Sequence, residues 1–141
     1  MQLGTLSGNP VAAIAGLKTM EILRLEGQYE RLHSNGRRLT KMAGDALSTR
    51  GVAHQIIGDP NLFEIVFTDG PVRDYRDVLR SDTARVARFN AVMMEHGVFK
   101  SPGKTYPSLA LTEEDFDRAY RSAAADIAEI STDAVHAFTA R

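Results

Sequence analysis

The sequence predicts an α+β fold, a small and mainly antiparallel sheet covered by helices. Three observations predict it. Long stretches with apolar residues every three or four positions alternate with short runs of β-branched and aromatic residues, in the order helix, helix, strand, strand, helix, strand, strand, helix. The first two strand candidates are separated only by Gly58-Asp59-Pro60-Asn61, which has the chemistry of a hairpin-type turn. At 141 residues the chain has the length of one domain with a real core.

Composition narrows the function classes. Seventeen Lys and Arg against 18 Asp and Glu leave a net charge of −1, which argues against nucleic acid as the main partner. There is no cysteine, so disulfides, zinc thiolates and a thiol nucleophile are excluded, and a cytoplasmic location fits. No apolar run approaches the ~20 residues of a membrane span, so no membrane partner is expected. The N-terminus lacks a basic stretch leading into an apolar one, so no signal peptide is expected.

The first helix is predicted over residues 10–26. Asn9 can cap it, and Pro10 suits the first helical position, where its missing N–H costs nothing. Ala13, Leu17, Met20 and Leu23 form one stripe, Ile14, Ile22 and Leu25 widen it, and up to Leu17 almost every side is apolar or small. Such a helix is covered on more than one side, which points to another domain or a partner subunit. Gly27 is the expected C′ residue. A second helix is predicted over 28–50, with Tyr29, Leu32, Gly36, Leu39, Ala43 and Leu47 on its apolar face. Gly36 marks a close approach. Arg37 and Arg38 read as a solvated face rather than an anion site.

Strands are predicted at Ala53–Ile57 and Leu62–Phe67. His54 and Glu64 on them have no partner at ligand spacing. A polar connection over 72–81, with a helical turn around Tyr75 and Val78, leads to a third helix over Asp82–His96, closed by Gly97. Val98–Ser101 and Ser108–Leu111 are short strand candidates flanking a loop. That loop, Ser101-Pro102-Gly103-Lys104-Thr105, imitates a nucleotide-binding loop but fails its test. Gly97 is one residue too far upstream, and Tyr106-Pro107 follows where a helix is needed. Thr112 starts the last helix with Asp115 as a capping partner, and Glu113 and Glu114 suit its positive end. The first-turn carboxylates have no histidine beside them, so no metal site is predicted.

The remaining stretch is Gly4-Thr5-Leu6-Ser7-Gly8-Asn9-Pro10. Its glycines and hydroxyls, beside a helix N-terminus with unpaired donors, suit a phosphate or carboxylate. An ordinary turn before a capped helix accounts for the same residues.

With Val11-Ala12-Ala13 this stretch resembles the segment that opens the last third of class III aminotransferases, pyridoxal-phosphate enzymes of fold type I. Gly97-Val98-Phe99 with Ser101-Pro102 resembles the family's Gly-Val-Tyr/Phe…Pro-Ser strand. Leu111-Thr112-Glu113-Glu114-Asp115-Phe116-Asp117 resembles its His-Thr-Glu-Glu-Asp-Ile-Asp helix start. The resemblance spans about residues 2–130 and is nearest to the glutamate-1-semialdehyde 2,1-aminomutase-like members. It implies the C-terminal small domain of a fold type I enzyme. Residues 1–9 would be a phosphate-contact loop, 10–26 the connector helix between domains, and 27–141 the small domain.

The implied activity is amino-group transfer through a Schiff base on pyridoxal 5′-phosphate, acting on a small amino acid or amino ketone in the complete enzyme. The resemblance makes Gly4 and Thr5 the cofactor-binding residues, reaching the phosphate in a partner subunit's site. It also implies a homodimer, or a partnership with an N-terminal large domain. No catalytic residue is expected in this chain. Lys18, Lys41, Lys100 and Lys104 do not stand where the family's Schiff-base lysine does, so the chain alone is expected to be inactive. Phe99–Leu111 has no arginine, which favours the aminomutase-like branch. Leu111 in place of the family's histidine, and a shorter loop carrying Lys104, leave mutase or transaminase open. A non-catalytic dimerisation or partner-binding module derived from such an enzyme is the alternative, and a small-ligand sensor of ferredoxin-like type ranks last.

Overall fold

The computed structural model describes Gly4 and residues 8–116. Helix α1 runs from Pro10 to Leu23, α2 from Gln28 to Thr49, α3 from Tyr75 to Val78 and α4 from Thr83 to Glu95. Strands β1 (Gln55–Asp59), β2 (Leu62–Val66) and β3 (Lys104–Thr105) form one antiparallel sheet in the order β1-β2-β3. The fold is α+β, as the sequence predicts.

The β1–β2 hairpin closes through Pro60-Asn61, with Asp59 opposite Leu62. Asp59 Oδ1 accepts from the Asn61 N–H at 2.9 Å, which fixes the turn. The tighter turn moves β1 two residues later than the sequence predicts. In β2 the side chains alternate across the sheet. Phe63, Ile65 and Phe67 meet Leu39, Ala43 and Leu47 of α2, Phe89, Val92 and Met93 of α4, and Phe116. Those residues form one core. The hairpin turn lies hard against α2, where a Cβ on Gly36 would come within 2.0 Å of the Pro60 carbonyl oxygen. The expected close approach is therefore a helix-to-turn contact.

Three sequence expectations are corrected. Helix α1 stops at Leu23, and Gly27 is not its C′ residue; at φ +79° Gly27 is the left-handed N-cap of α2. Val98–Ser101 and Ser108–Leu111 are not strands, and the third strand lies in the intervening segment as Lys104–Thr105. Val98 is used up in closing α4, its N–H donating to Met93 O at 2.8 Å. Asn35 Nδ2 holds the Ser108 carbonyl at 2.9 Å. Lys104 instead faces Glu64 across the sheet, and its ammonium lies 2.9 Å from that carboxylate. Glu64 thus has a partner that local sequence does not reveal.

Arg38 is the third correction. It stays on the partly exposed face of α2 but is engaged there: its guanidinium sits 4.0 Å from the Phe116 ring centroid and donates to Glu113 at 2.7 Å. The start of the last helix is as expected, Thr112 N–H donating to Asp115 Oδ2 at 2.8 Å and Asp115 N–H to Thr112 Oγ1 at 3.2 Å. The rest of the predicted helix lies outside the described residues.

Candidate functional site

The loop before α1 is the site the sequence singles out. Gly4 is exposed, with φ +141°, a conformation open to glycine and strained for other residues. Its peptide can therefore approach a ligand with no Cβ in the way. Thr5 lies outside the described residues, so the structure does not place the two predicted site residues together.

The helix end beside the loop differs from expectation. Asn9 Oδ1 accepts from Val11 N–H at 2.9 Å and Ala12 N–H at 3.2 Å. The Ala13 N–H donates to Asn9 O at 2.9 Å, and Pro10 has no N–H to give. Every early donor of α1 is already used. A helix N-terminus binds anions through its unpaired N–H groups. What remains at α1 is the partial positive charge, and any hydrogen bonds to a phosphate must come from the loop.

Helix α1 is unlike the other two long helices, α2 and α4. No residue in it is buried, and Val11, Ile14 and Leu17 are 77%, 67% and 66% exposed. Met20, Ile22 and Leu25 are exposed too. The expected covering layer is not supplied by the described residues.

The four lysines all have partners. Lys18 pairs with Glu21 at 2.9 Å, Lys41 with Asp45 at 2.5 Å and Lys104 with Glu64 at 2.9 Å. The Glu64 hydrogen bond and charge raise the Lys104 ammonium above its ordinary pKa. Lys100 has no carboxylate in contact. Its Nζ donates to Asn90 Oδ1 at 2.7 Å, Ser101 O at 2.7 Å and Pro102 O at 3.2 Å, and burial pulls its pKa down. It fastens the loop after α4 in place.

That loop borders a cavity of 590 Å³ between α2 and β3, for which no local pattern in the sequence is a signal. Leu39, Val98 and Leu111 line it, as do Phe99, Tyr106 and Thr105. Among the described residues no three His, Cys, Asp or Glu side chains gather to hold a metal, and no helix is long and apolar enough to cross a membrane.

No protein-family model matches the chain. Solved structures do. An omega-transaminase from Sphaerobacter thermophilus superposes with a TM-score of 0.74 and 28% identity, over 92% of this chain and 30% of the transaminase. A β-phenylalanine aminotransferase from Variovorax paradoxus gives a TM-score of 0.59 at 28% identity, over 67% of this chain and 22% of the aminotransferase. The fold is therefore aminotransferase-related, and the chain spans less than a third of the length of either neighbour.

Proposed function

We propose that this chain is the C-terminal part of a class III, pyridoxal-phosphate-dependent aminotransferase or aminomutase, cytoplasmic and acting on a small amino acid or amino ketone. The observation that carries the reading is α1. A helix whose residues up to Leu17 are apolar or small on almost every side, and which is exposed along its length, is a buried helix without its surroundings. The six exposed large apolar residues of α1 and the turn after it, from Val11 to Leu25, would contribute on the order of 10 kcal/mol if covered. In the proposed parent, α1 runs between the large and small domains and both faces are enclosed.

The residues at hand fit one end of the cofactor. The Gly4 peptide and the Thr5 hydroxyl are neutral donors, suited to a phosphate dianion without a counter-charge. Pyridoxal phosphate, when bound, supplies the carbonyl and the electron sink for amino transfer. This chain's part is to hold the phosphate, wall the site and present a dimer surface. None of its lysines is read as the Schiff-base lysine. Three are tied to carboxylates, and the fourth closes a loop.

Two measurements test this. An antibody raised to α1 and α2 should detect, in the native source, a polypeptide roughly three times longer than this chain. In that polypeptide Thr5→Ala should weaken cofactor affinity about fivefold, the loss of one hydrogen bond of ~1 kcal/mol. A native product of this chain's own length, with no turnover, would replace the enzyme reading with that of a non-catalytic dimerisation or partner-binding module.

A further inference from the structure

The β1–β2 turn meets α2 through three consecutive residues, and one of these contacts changes character when a proton is added. The Pro60 carbonyl lies against Gly36. His33, one helical turn before Gly36, reaches the residues on either side of that proline. Its Nε2 is 2.9 Å from Asn61 Nδ2, and its Nδ1 is 3.8 Å from Asp59 Oδ1. Asp59 Oδ1 also accepts from the Asn61 N–H at 2.9 Å, so the imidazole lies beside the group that fixes the turn.

Donors and acceptors fix the neutral form of this contact. An amide nitrogen only donates, so Nε2 accepts, and the proton of the neutral imidazole sits on Nδ1. Nδ1 is the nitrogen that faces the Asp59 carboxylate, which favours a proton there. The two neighbours therefore select the same tautomer. The other end of the amide, Asn61 Oδ1, is buried and has no partner, a costly and uncommon state for an acceptor. A second proton on the imidazole makes Nε2 a donor and sets two donors face to face. Half a turn of the amide removes the conflict. Oδ1 then accepts from Nε2–H in a charge-assisted bond, and Nδ2 takes the buried place. One end of the amide is unpartnered in either orientation, so the reversal itself costs little. Among the described residues Asp59 is the carboxylate within 4 Å of a ring nitrogen. On α2, Glu30 stands one turn before the ring and Arg37 one turn after, and Arg24 and Glu26 lie in the link that leads into the helix. The ring is 36% exposed, so water can deliver the proton.

We propose that His33 and Asn61 form a pH-set latch between α2 and the β1–β2 turn: protonation of the imidazole turns the Asn61 amide end for end and makes the bond across the contact charge-assisted. The turn is then held on α2 more firmly in acid than in base. Neither residue belongs to the loop at Gly4, so the latch does not depend on the proposed parent enzyme.

The test is NMR of the isotope-labelled 141-residue chain on both sides of the His33 titration, followed by its own ring signals. On the basic side the ring nitrogen shifts should place the proton on Nδ1, and the side-chain amide protons of Asn61 should give cross-peaks to the ring. On the acid side those cross-peaks should vanish. Exchange protection of the backbone amides in residues 58–62, corrected for the intrinsic rate, should rise about fivefold there. Asp59→Asn should even out the two neutral tautomers, and His33→Gln should abolish the step in protection. A proton on Nε2 on the basic side overturns the proposal, and so do Asn61 cross-peaks that persist unchanged in acid. Protection that is flat across the titration, or a step that survives His33→Gln, overturns it as well. The tautomer and the cross-peaks are read in the unmodified chain, so they decide the matter whether or not a variant folds.

Discussion

Helices α1 and α2 are neighbours in sequence, joined by Arg24 to Gly27, yet they obey different rules. Helix α2 has one apolar stripe and one charged face, and its stripe (Gly36, Leu39, Ala43, Leu47) is buried within this chain. Helix α1 is apolar or small on almost every side up to Leu17, and none of it is buried. The stability of α2 is thus explained by residues present here. That of α1 is local: an Asn9 cap, a proline at the first position and its own backbone ladder. A sequence pattern reports the environment in which a helix was selected, and for α1 that environment lies outside the described residues.

The sharpest way to break this comparison uses a glycine from the middle of each helix. Gly36→Ala puts a Cβ 2.0 Å from the Pro60 carbonyl oxygen, a backbone atom that cannot swing aside. It should cost about 3 kcal/mol or more in denaturant unfolding. Gly16→Ala meets nothing within 4 Å. It should add up to ~1 kcal/mol of helix propensity and leave the unfolding of the core unchanged. Similar costs for both would mean that α1 is as tightly packed as α2.

A leucine pair gives the next largest effect. Leu47 is fully buried among α2, β2 and α4, and Leu47→Ala should cost about 2–5 kcal/mol. Leu17→Ala should change the stability of this chain by less than ~0.5 kcal/mol. In the longer native protein, the same Leu17→Ala should approach the Leu47→Ala cost if α1 is enclosed there. A null effect in both settings would remove the argument from α1.

Asn9→Ala comes third. Loss of a cap with two N–H partners should cost about 1 kcal/mol. Because α1 leans little on the core, the loss should appear as faster amide exchange in residues 10–23 and not in α2 or β2. A matching drop in global stability would show that the two helices unfold together.

Much of α2, β2 and α4 was legible because each carries its signal locally. The spacing of Leu39, Ala43 and Leu47 gives the buried stripe, the β-branched and aromatic run gives β2, and Asp82 and Gly97 bracket α4. Strand β3 was not, since two residues have no period to read and its position depends on Glu64, 40 residues away. The partner of Arg38 was missed for the same reason, Glu113 lying 75 residues on. At the candidate site the motif was visible, but the fate of the α1 donors was not. The sequence shows that Asn9 can cap; only the geometry shows that the cap and the first helical turn use every N–H an anion would need.

The smallest effect comes from comparing one ion pair of each helix. Lys18–Glu21 lies within α1 and spans three residues, so Glu21→Gln should leave the core untouched. Arg38–Glu113 ties α2 to the start of the last helix, with Arg38 stacked on Phe116. The hydrogen bond from Arg38, aided by its charge, holds the Glu113 carboxyl below its ordinary value of 4.5. A depressed carboxyl stabilises the fold fully above that ordinary value and loses its contribution as pH falls through the folded-state value. The midpoint of urea unfolding should therefore be slightly higher for the unmodified chain than for Glu113→Gln at neutral pH. The two should converge in acid, where Glu113 is protonated and the variant differs from it little in charge. The Glu21→Gln curve should follow the unmodified chain throughout. A gap between the unmodified chain and Glu113→Gln that persists in acid would assign the effect to packing around Phe116 rather than to the charge on Glu113. A gap for Glu21→Gln of the same size would mean that α1 contributes to the same cooperative unit as α2.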